Sequence, residues 1–330
     1  MTLSLIICTY MRPLAVKKLL DSVVNQTIPP NQIIIVDGST NMETKEILKN
    51  NSTIDYYLVS QEHRGLTKQR NFGVSKTNET TDIVAFLDDD LILEPNYFEE
   101  IIKTYQQYTE VIGVGGIDLK ENTYFKKKES KIYSKLDYFE FDSWVSKESL
   151  RNKIRKIFGL ISNLQPDLIP ECGHGRSGLP PNGKTYQVEH FMGGIASYKK
   201  ELFDKISFSK YFEGYGLYED FDFCVRSLKY GKLYVNTNAH VWHYHDPAGR
   251  PNQNKYGKMV VRNGWYVWRL AHPKPSIKNK MKWHVTTLLL MFLRFFNVFT
   301  TTKRKEAFTE SLGRFVAWIH LFFNKPKIEL

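Results

Sequence analysis

DIVAFLDDDLIL, residues 82–93, is the stretch whose reading decides the fold. Ile83 to Leu87 form an unbroken apolar run with β-branched and aromatic members, the pattern of a strand buried on both faces. The run stops at three consecutive carboxylates, Asp88, Asp89 and Asp90. Along an extended chain Asp88 and Asp90 point to one side and Asp89 to the other. A carboxylate pair at the mouth of a sheet suits a hard divalent cation that takes oxygen ligands and bound phosphate. It equally suits the start of a following helix, with Pro95 as its first residue.

Upstream, SLIICTY (4–10) reads as a buried strand, and Pro13 opens a helix whose apolar positions Val16, Leu19, Leu20 and Val23 keep the helical period. QIIIVDGS (32–39) is a second buried strand, followed by a helix with a capping box from Thr40 to Glu43. IDYYLVS (54–60) is a third strand, leading into a short helix over 67–75, and the acidic strand is the fourth. This alternation predicts an α/β fold, a mostly parallel sheet flanked by helices. Ligands of such sheets bind at the carboxyl ends of the strands. Those ends carry Thr9 and Tyr10, then Asp37 before Gly38 and Ser39, then the Arg64-Gly65 turn, then Asp88 to Asp90. Asp37 suits either a nucleoside contact or a turn before Gly38. Arg64, Lys68 and Arg70 suit either phosphate or a solvated helix face. No G-x-G-x-x-G follows the first strand and no P-loop occurs, which sets aside NAD-type and P-loop NTPase readings.

Further along, a helix is expected over 99–108 and a strand at IGVGGID (112–118). Residues 124–162 are Lys-rich and aromatic without strand alternation, with a basic helix over 147–160. Residues 166–186 have loop composition, expected to touch substrate. Cys172 and His174 lack a second ligand pair at zinc-finger spacing. Gly193-Gly194 interrupt an apolar run, a sign of close backbone approach to a ligand or another strand, and a helix is expected from Ser197. Phe221, Cys224, Val225 and Leu228 make a helical apolar face with Glu219 and Asp220 at its N-terminus. Those acids fit a dipole-stabilised cap or a general base. His240, His243 and His245 follow, and at least one is expected to contact metal or diphosphate.

The formal charge of +11 over 330 residues suits nucleic acid, anionic lipid or nucleoside diphosphates. Cys8, Cys172 and Cys224 are odd in number and far apart, which argues against a disulfide framework. With no signal peptide in the N-terminal run, a reducing, cytoplasmic setting is expected. In the tail, WHVTTLLLMFLRFFNVF (283–299) is interrupted by Arg294 and Asn297 and is short for spanning a bilayer. Lys278, Lys280 and Lys282 precede it, Lys303, Arg304 and Lys305 follow, and SLGRFVAWIHLFF (311–323) repeats the theme. This pattern fits in-plane helices on an anionic membrane surface, on the cytoplasmic face, or helices packed on the core or in a homodimer.

Taken in order, SLIICTYMR, IIIVDGS, the Arg-Gly-Leu turn with Gln69-Arg70-Asn71-x-Gly73, FLDDD, MGG, YED and a downstream His resemble family 2 glycosyltransferases with the GT-A fold, over about residues 3–245. The resemblance implies that Thr9, Tyr10, Arg12 and Asp37 hold the nucleotide base; Arg64 and Arg70, read from the strand ends, are expected on the phosphates of the nucleotide sugar. Asp88 and Asp90 correspond to the family's Asp-x-Asp, Asp90 holding Mn²⁺ or Mg²⁺ on the donor diphosphate, with Asp89 toward the ribose or base. Glu219 and Asp220 correspond to its catalytic pair, Asp220 being the base. His243 best matches the downstream metal or phosphate ligand, with His245 as the alternative, while His245, Gly193 and Gly194 are expected near the acceptor.

The activity implied is inverting transfer from a nucleoside diphosphate sugar, a UDP-sugar favoured, to a saccharide or lipid-linked saccharide, with no nucleic-acid partner. The expected division is a catalytic domain at 1–250, with a nucleotide-sugar half (1–118) and an acceptor half (119–250), and a C-terminal helical appendage at 251–330. A sugar-nucleotide-forming nucleotidyltransferase would carry a Gly-rich basic loop after the first strand, and CTYMRP lacks the glycines. A non-enzymatic basic membrane-binding protein would leave the carboxylates at strand and helix ends unexplained.

Overall fold

The structure, a computed structural model, describes residues 1–49, 51–245 and 251–328. The chain runs β1 (Leu3–Thr9), α1 (Pro13–Val24), β2 (Gln32–Asp37), α2 (Glu43–Leu48), β3 (Ile54–Leu58), α3 (Leu66–Val74), β4 (Ile83–Asp88), β5 (Leu91–Leu93), α4 (Tyr97–Gln107) and β6 (Val111–Asp118). Then come β7 (Tyr124–Lys126), β8 (Tyr138–Phe141), β9 (Trp144–Lys147), α5 (Leu150–Ile157), β10 (Thr185–Val188), β11 (Ile195–Lys199), α6 (Glu219–Ser227) and β12 (Lys232–His243). Helices α7 (Gln253–Ala271), α8 (Ile277–Phe296) and α9 (Arg304–Phe323) follow.

Two compact units form: Met1–Asn122 with Pro181–Arg250, and Thr123–Pro180 with Pro251–Leu330. This differs from the division expected at residue 250, because 123–180 groups with the C-terminal helices rather than with the sheet. The expected boundary itself, at 250, lies outside the described residues.

The first unit is built on a nine-stranded sheet in the order β10-β12-β6-β11-β4-β1-β2-β3, with β5 paired to β12. Strands β4, β1, β2 and β3 pair in parallel, with Ile7 opposite Ile35 on one side and Leu87 on the other. The apolar runs of β1 and β4 are buried throughout, as strands covered on both faces must be. All four periodic positions of α1 are buried against them, each contributing roughly 1.5–3 kcal/mol.

Several local expectations give way. Helix α2 starts at Met42 with no side-chain cap, so the Thr40–Glu43 capping box does not form. The helix expected from Ser197 is strand β11, which enters antiparallel between β4 and β6. Its first four residues are buried, and the Ser197 hydroxyl donates to the Val114 carbonyl at 2.8 Å, so burial between two strands overrides local preference. Residues 124–147 supply a small antiparallel sheet, β7-β9-β8, and the basic helix shortens to α5. The buried face of α6 is shifted by one position, with Asp222, Phe223, Cys224 and Ser227 inside rather than Phe221.

In the second unit α7 and α9 cross closely. A Cβ on Gly257 would meet the Glu310 carbonyl, and one on Gly313 the Asn254 carbonyl. Arg294, which breaks the apolar run of α8, pairs with Glu310 at 2.7 Å, and Arg314 pairs with its other oxygen at 2.6 Å. Trp268 and Trp283 stack with centroids 5.0 Å apart. The 166–180 part of the expected loop packs here: Trp268 donates to the Glu171 carbonyl, and the His174 ring lies 3.2 Å from the Thr287 hydroxyl. No helix among the described residues is long and apolar enough to cross a membrane.

Burial, reinforced by the Arg155 charge, lowers His174 from its ordinary range to about 3. Between that value and the unfolded value near 6.5 the unfolded chain binds one more proton than the folded chain. Stability from this site is therefore full above pH 6.5 and lost as pH falls toward 3. Relative to His174→Gln, the wild type is expected to lose about 1.4 kcal/mol per pH unit in that window. Urea unfolding of both proteins at pH 7, 6 and 5 checks this, and parallel curves would exclude it.

Candidate active site

The cluster at the centre of the first unit is made by one strand pairing. β5 runs antiparallel to β12 with Leu91 opposite His243, and the Tyr244 amide donates to the Asp90 carbonyl at 2.9 Å. That register brings His243 Nε2 to 3.0 Å from Asp90 Oδ1, across 153 residues of sequence. One ligand atom each from Asp88, Asp90 and His243 lies within 4.8 Å of the others. His243 Nδ1 is buried without a hydrogen-bond partner. Burial pulls this imidazole down, but the carboxylates of Asp90, Asp88 and Asp118 outweigh it and raise its pKa. Burial and Asp90 raise the Asp88 carboxyl as well, against the pull of Arg70. Two carboxylates and an imidazole held this close, with an unsatisfied ring nitrogen, fit a divalent cation such as Mn²⁺ or Mg²⁺.

Asp89 turns the other way. It is 3% exposed, accepts from Thr9 Oγ1 at 2.7 Å and from Arg12 Nη1 at 2.9 Å, and burial lifts its carboxyl to about 6. Thr9, Arg12 and Asp89, expected at the base or ribose, thus tie the end of β1 to the acidic turn. Tyr10 stands exposed beside them. Asp37 is fully buried, with one oxygen accepting from the Ser39 amide and the other from the Tyr56 hydroxyl, each at 2.8 Å.

Among the basic residues the structure makes a clear division. Arg70, expected to meet phosphate, is 3% exposed, with Nη1 2.6 Å from Glu219 and Nη2 3.6 Å from Asp88. Its guanidinium also lies over the rings of Phe86 and Phe208. Buried and paired on two sides, Arg70 is a positioning residue, which corrects the phosphate assignment. Lys68 pairs with Glu213 at 3.3 Å. Arg64 donates to the Ser39 carbonyl and pairs with no carboxylate among the described residues.

Helix α6 starts from Tyr218, whose backbone is left-handed at φ 72°. Glu219 is buried on Arg70, which corrects its expected role at the reacting atoms. Burial, then the Asp220 charge, push its carboxyl up to about 8 against the pull of Arg70. Asp220 points outward, half-buried, its oxygens accepting from the Gly193 amide at 3.1 Å and the Phe221 amide at 2.7 Å. Gly193 and Gly194 back two carboxylates in turn. A Cβ on Gly193 would sit 2.7 Å from Asp220 Cβ, and one on Gly194 would collide with the Asp88 carboxylate. The glycine pair therefore serves close approach to the site's own acids. His245 is exposed, bonded to Glu121 at 2.7 Å, with its ring tilted against that of His243 at a centroid distance of 3.9 Å. His240 turns away, its ring at 2.7 Å from the Thr237 carbonyl.

Two residues were named in the sequence without a role. Gln69 accepts from the Gly65 amide and donates to the carbonyls of Thr9 and Val36, tying the ends of β1 and β2 to the start of α3. Asp118 accepts from the His243 amide at 3.2 Å. Its signal was present, since it is a carboxylate that closes a strand.

The sequence model described as glycosyl transferase family 2 matches residues 4–206. The chain belongs to glycosyltransferase family 2. Among its relatives, a glucosyl-dolichyl phosphate glucuronosyltransferase of Haloferax volcanii is 30% identical over 120 residues, 35% of this chain and 38% of that protein. The glycosyltransferase GlyA of Streptococcus pneumoniae is 36% identical over 102 residues, 30% of this chain and 14% of that protein. These matches cover well under half of either relative's length. A crystal structure of GalNAc-T7 with UDP, GalNAc and Mn²⁺ is similar at TM-score 0.50 and 14% identity, over 80% of this chain and 48% of that one. The fold is the GT-A type.

At Gly194 no left-handed backbone is involved, so Gly194→Ala tests the packing alone. Overpacking is expected to cost about 1–3 kcal/mol and to displace Asp88, weakening Mn²⁺ binding at least tenfold by titration calorimetry. An unchanged Mn²⁺ affinity would show that the glycine does not set the position of this carboxylate.

Proposed function

We propose that the protein transfers a glycosyl group, with inversion, from a nucleoside diphosphate sugar to an acceptor hydroxyl. The observation that carries this reading is the glycine pair: consecutive residues back Asp220 and Asp88, so an outward carboxylate on a helix end lies beside the acidic cluster. Asp220 takes the proton of the acceptor hydroxyl as its oxygen attacks the anomeric carbon, and the bond from that carbon to the diphosphate breaks. The nucleoside diphosphate leaves. Asp88, Asp90 and His243 would hold a divalent cation, whose positive charge offsets that of the diphosphate. Arg64, Tyr10 and the Asp37 turn lie at the strand ends where a nucleotide would sit. A UDP-sugar is the favoured donor, in line with the UDP and Mn²⁺ named with the similar GalNAc-T7 structure.

For the acceptor, a saccharide carried on a lipid fits two features. The relative from Haloferax volcanii is named for a dolichyl phosphate-linked sugar. In the second unit Ile277, Met281, Val285, Phe292, Phe296 and Phe299 follow one face of α8 and its end, and all are exposed. Phe308, Leu312, Phe315 and Phe322 do the same on α9. Lysines and arginines flank both stripes, so an anionic membrane surface on the cytoplasmic side is the proposed seat, with a second copy of the chain as the competing occupant.

Asp220→Asn is expected to lower kcat by roughly 10²–10⁴-fold with donor binding kept, whereas Asp90→Ala is expected to abolish Mn²⁺-dependent donor binding. Thermal shift across a panel of nucleotide sugars, with and without Mn²⁺, followed by turnover with the best donor, checks both. Full turnover in Asp220→Asn would remove it as the base. For the membrane seat, Phe296→Ser with Phe299→Ser and Phe315→Ser is expected to cut co-sedimentation with phosphatidylglycerol vesicles at least fivefold. Unchanged sedimentation, or loss of a dimer instead, would reject the membrane.

A further inference from the structure

The C-terminal end of α7, the first half of α8 and the end of α9 line a cavity of about 280 Å³, open to solvent, that the chemistry of the first unit does not use. Its walls are Trp265, Trp268, Leu321 and Phe322. Trp268 and Leu321 are buried at 3% and 1%, while Phe322, 57% exposed, also belongs to the outer stripe of α9. The apolar wall is thus continuous with the exposed apolar surface.

Three cations line the same cavity: Arg269, Lys280 and Lys325. None pairs with a carboxylate among the described residues, whereas Arg294 and Arg314 between α8 and α9 both pair with Glu310. Arg269 donates to the Pro273 carbonyl, and its guanidinium lies over the rings of Trp265 and Trp268 at 5.9 and 5.4 Å. The remaining lining group, His284, accepts at Nδ1 from Trp318 Nε1 at 3.1 Å, and burial with the Lys325 charge holds it below its ordinary range. It therefore adds a neutral, fixed surface and no counter-charge.

An aromatic cavity with unneutralised cations selects against two simple ligands. A purely apolar molecule leaves the cations unmatched, and a bare anion leaves the indole and phenyl walls in water. Guanidinium and ammonium groups suit phosphate oxygens, and indole rings suit an alkyl or prenyl chain. We propose that this cavity binds the head end of a lipid phosphate, a phosphate ester with its first chain carbons. At about 30 Å³ per water-sized group, the cavity holds roughly nine such groups, enough for the phosphate and a short length of chain. The lipid part of a lipid-linked acceptor and a bulk phospholipid headgroup share this chemistry. The inference draws on the lipid-linked acceptor reading for one of these two sources, while the site itself stands on its own lining.

Geranyl phosphate, titrated into the full-length protein without donor and followed by tryptophan fluorescence, is the probe. Geraniol and inorganic phosphate are each expected to bind at least tenfold more weakly than geranyl phosphate. Arg269→Gln with Lys280→Gln and Lys325→Gln is expected to raise the Kd for geranyl phosphate at least tenfold, and Trp265→Leu at least fivefold. Lys280 and Lys325 are exposed, so their double variant keeps the test readable if Arg269→Gln disturbs folding. Displacement of geranyl phosphate by dihexanoyl-phosphatidylglycerol at similar concentration supports the site with bulk phospholipid as its source. Resistance to that competitor supports it with a single-chain lipid phosphate. Geraniol binding as tightly as geranyl phosphate, or unchanged affinity in the charge variants, overturns the proposal. UDP-sugar binding in the same variants is expected to stay at the wild-type level. Its loss would count against the donor reading rather than against this cavity.

Discussion

A single guanidinium, that of Arg70, holds the site together. It lies under the sheet end at 3% exposure, bonded to Glu219 at the start of α6 and near Asp88 at the end of β4. A charge taken so far from water is tolerable only with partners in good geometry, and losing one partner of such a pair costs about 3–5 kcal/mol. Asp88, Glu219 and Arg70 therefore fix one another, and what each neighbour does follows from that. Asp220 projects from the same helix turn because Glu219 is anchored inward. Gly193 can have no side chain because Arg70, Glu219 and Asp220 already fill its space.

The sheet contributes a second constraint. β11 enters antiparallel beside β4, and the Asp88 amide donates to the Gly194 carbonyl at 3.0 Å. The glycine pair is thus delivered by backbone pairing to the carboxylates it must clear. β5 does the equivalent for Asp90, carrying it to the end of β12 where His243 stands. Asp88, Asp90 and His243 are thus placed by main-chain register, with side chains such as Gln69 and Asp118 locking the loops between.

Much of this was legible in the sequence wherever the signal is local. The apolar runs of β1, β2 and β4 and the period of α1 need no distant partner to be read. Strand alternation separated Asp89 from Asp88 and Asp90, and the structure gives Asp89 to Thr9 and Arg12 while the other two face His243. What failed was non-local. ASYKKELF has a helix-compatible composition, and only the gap between β4 and β6 makes its first half a strand. Arg70 sits on α3 close in sequence to Arg64 and Lys68, and its partner Glu219 is 149 residues away, so no window of sequence shows that it is buried. The 123–180 segment carries small strands and a loop whose contacts are to helices about a hundred residues downstream.

The pairing of β5 with β12 also has a consequence for the order in which the molecule is made. Asp88 and Asp90 lie in the first third of the chain, whereas the imidazole that completes their cluster is at residue 243. A ribosome that has released only the parallel strands has produced two like charges side by side and no third ligand. Any cation that this cluster holds would therefore be captured late in synthesis, after the docking of β12. It would then act as a clasp between early and late parts of the chain.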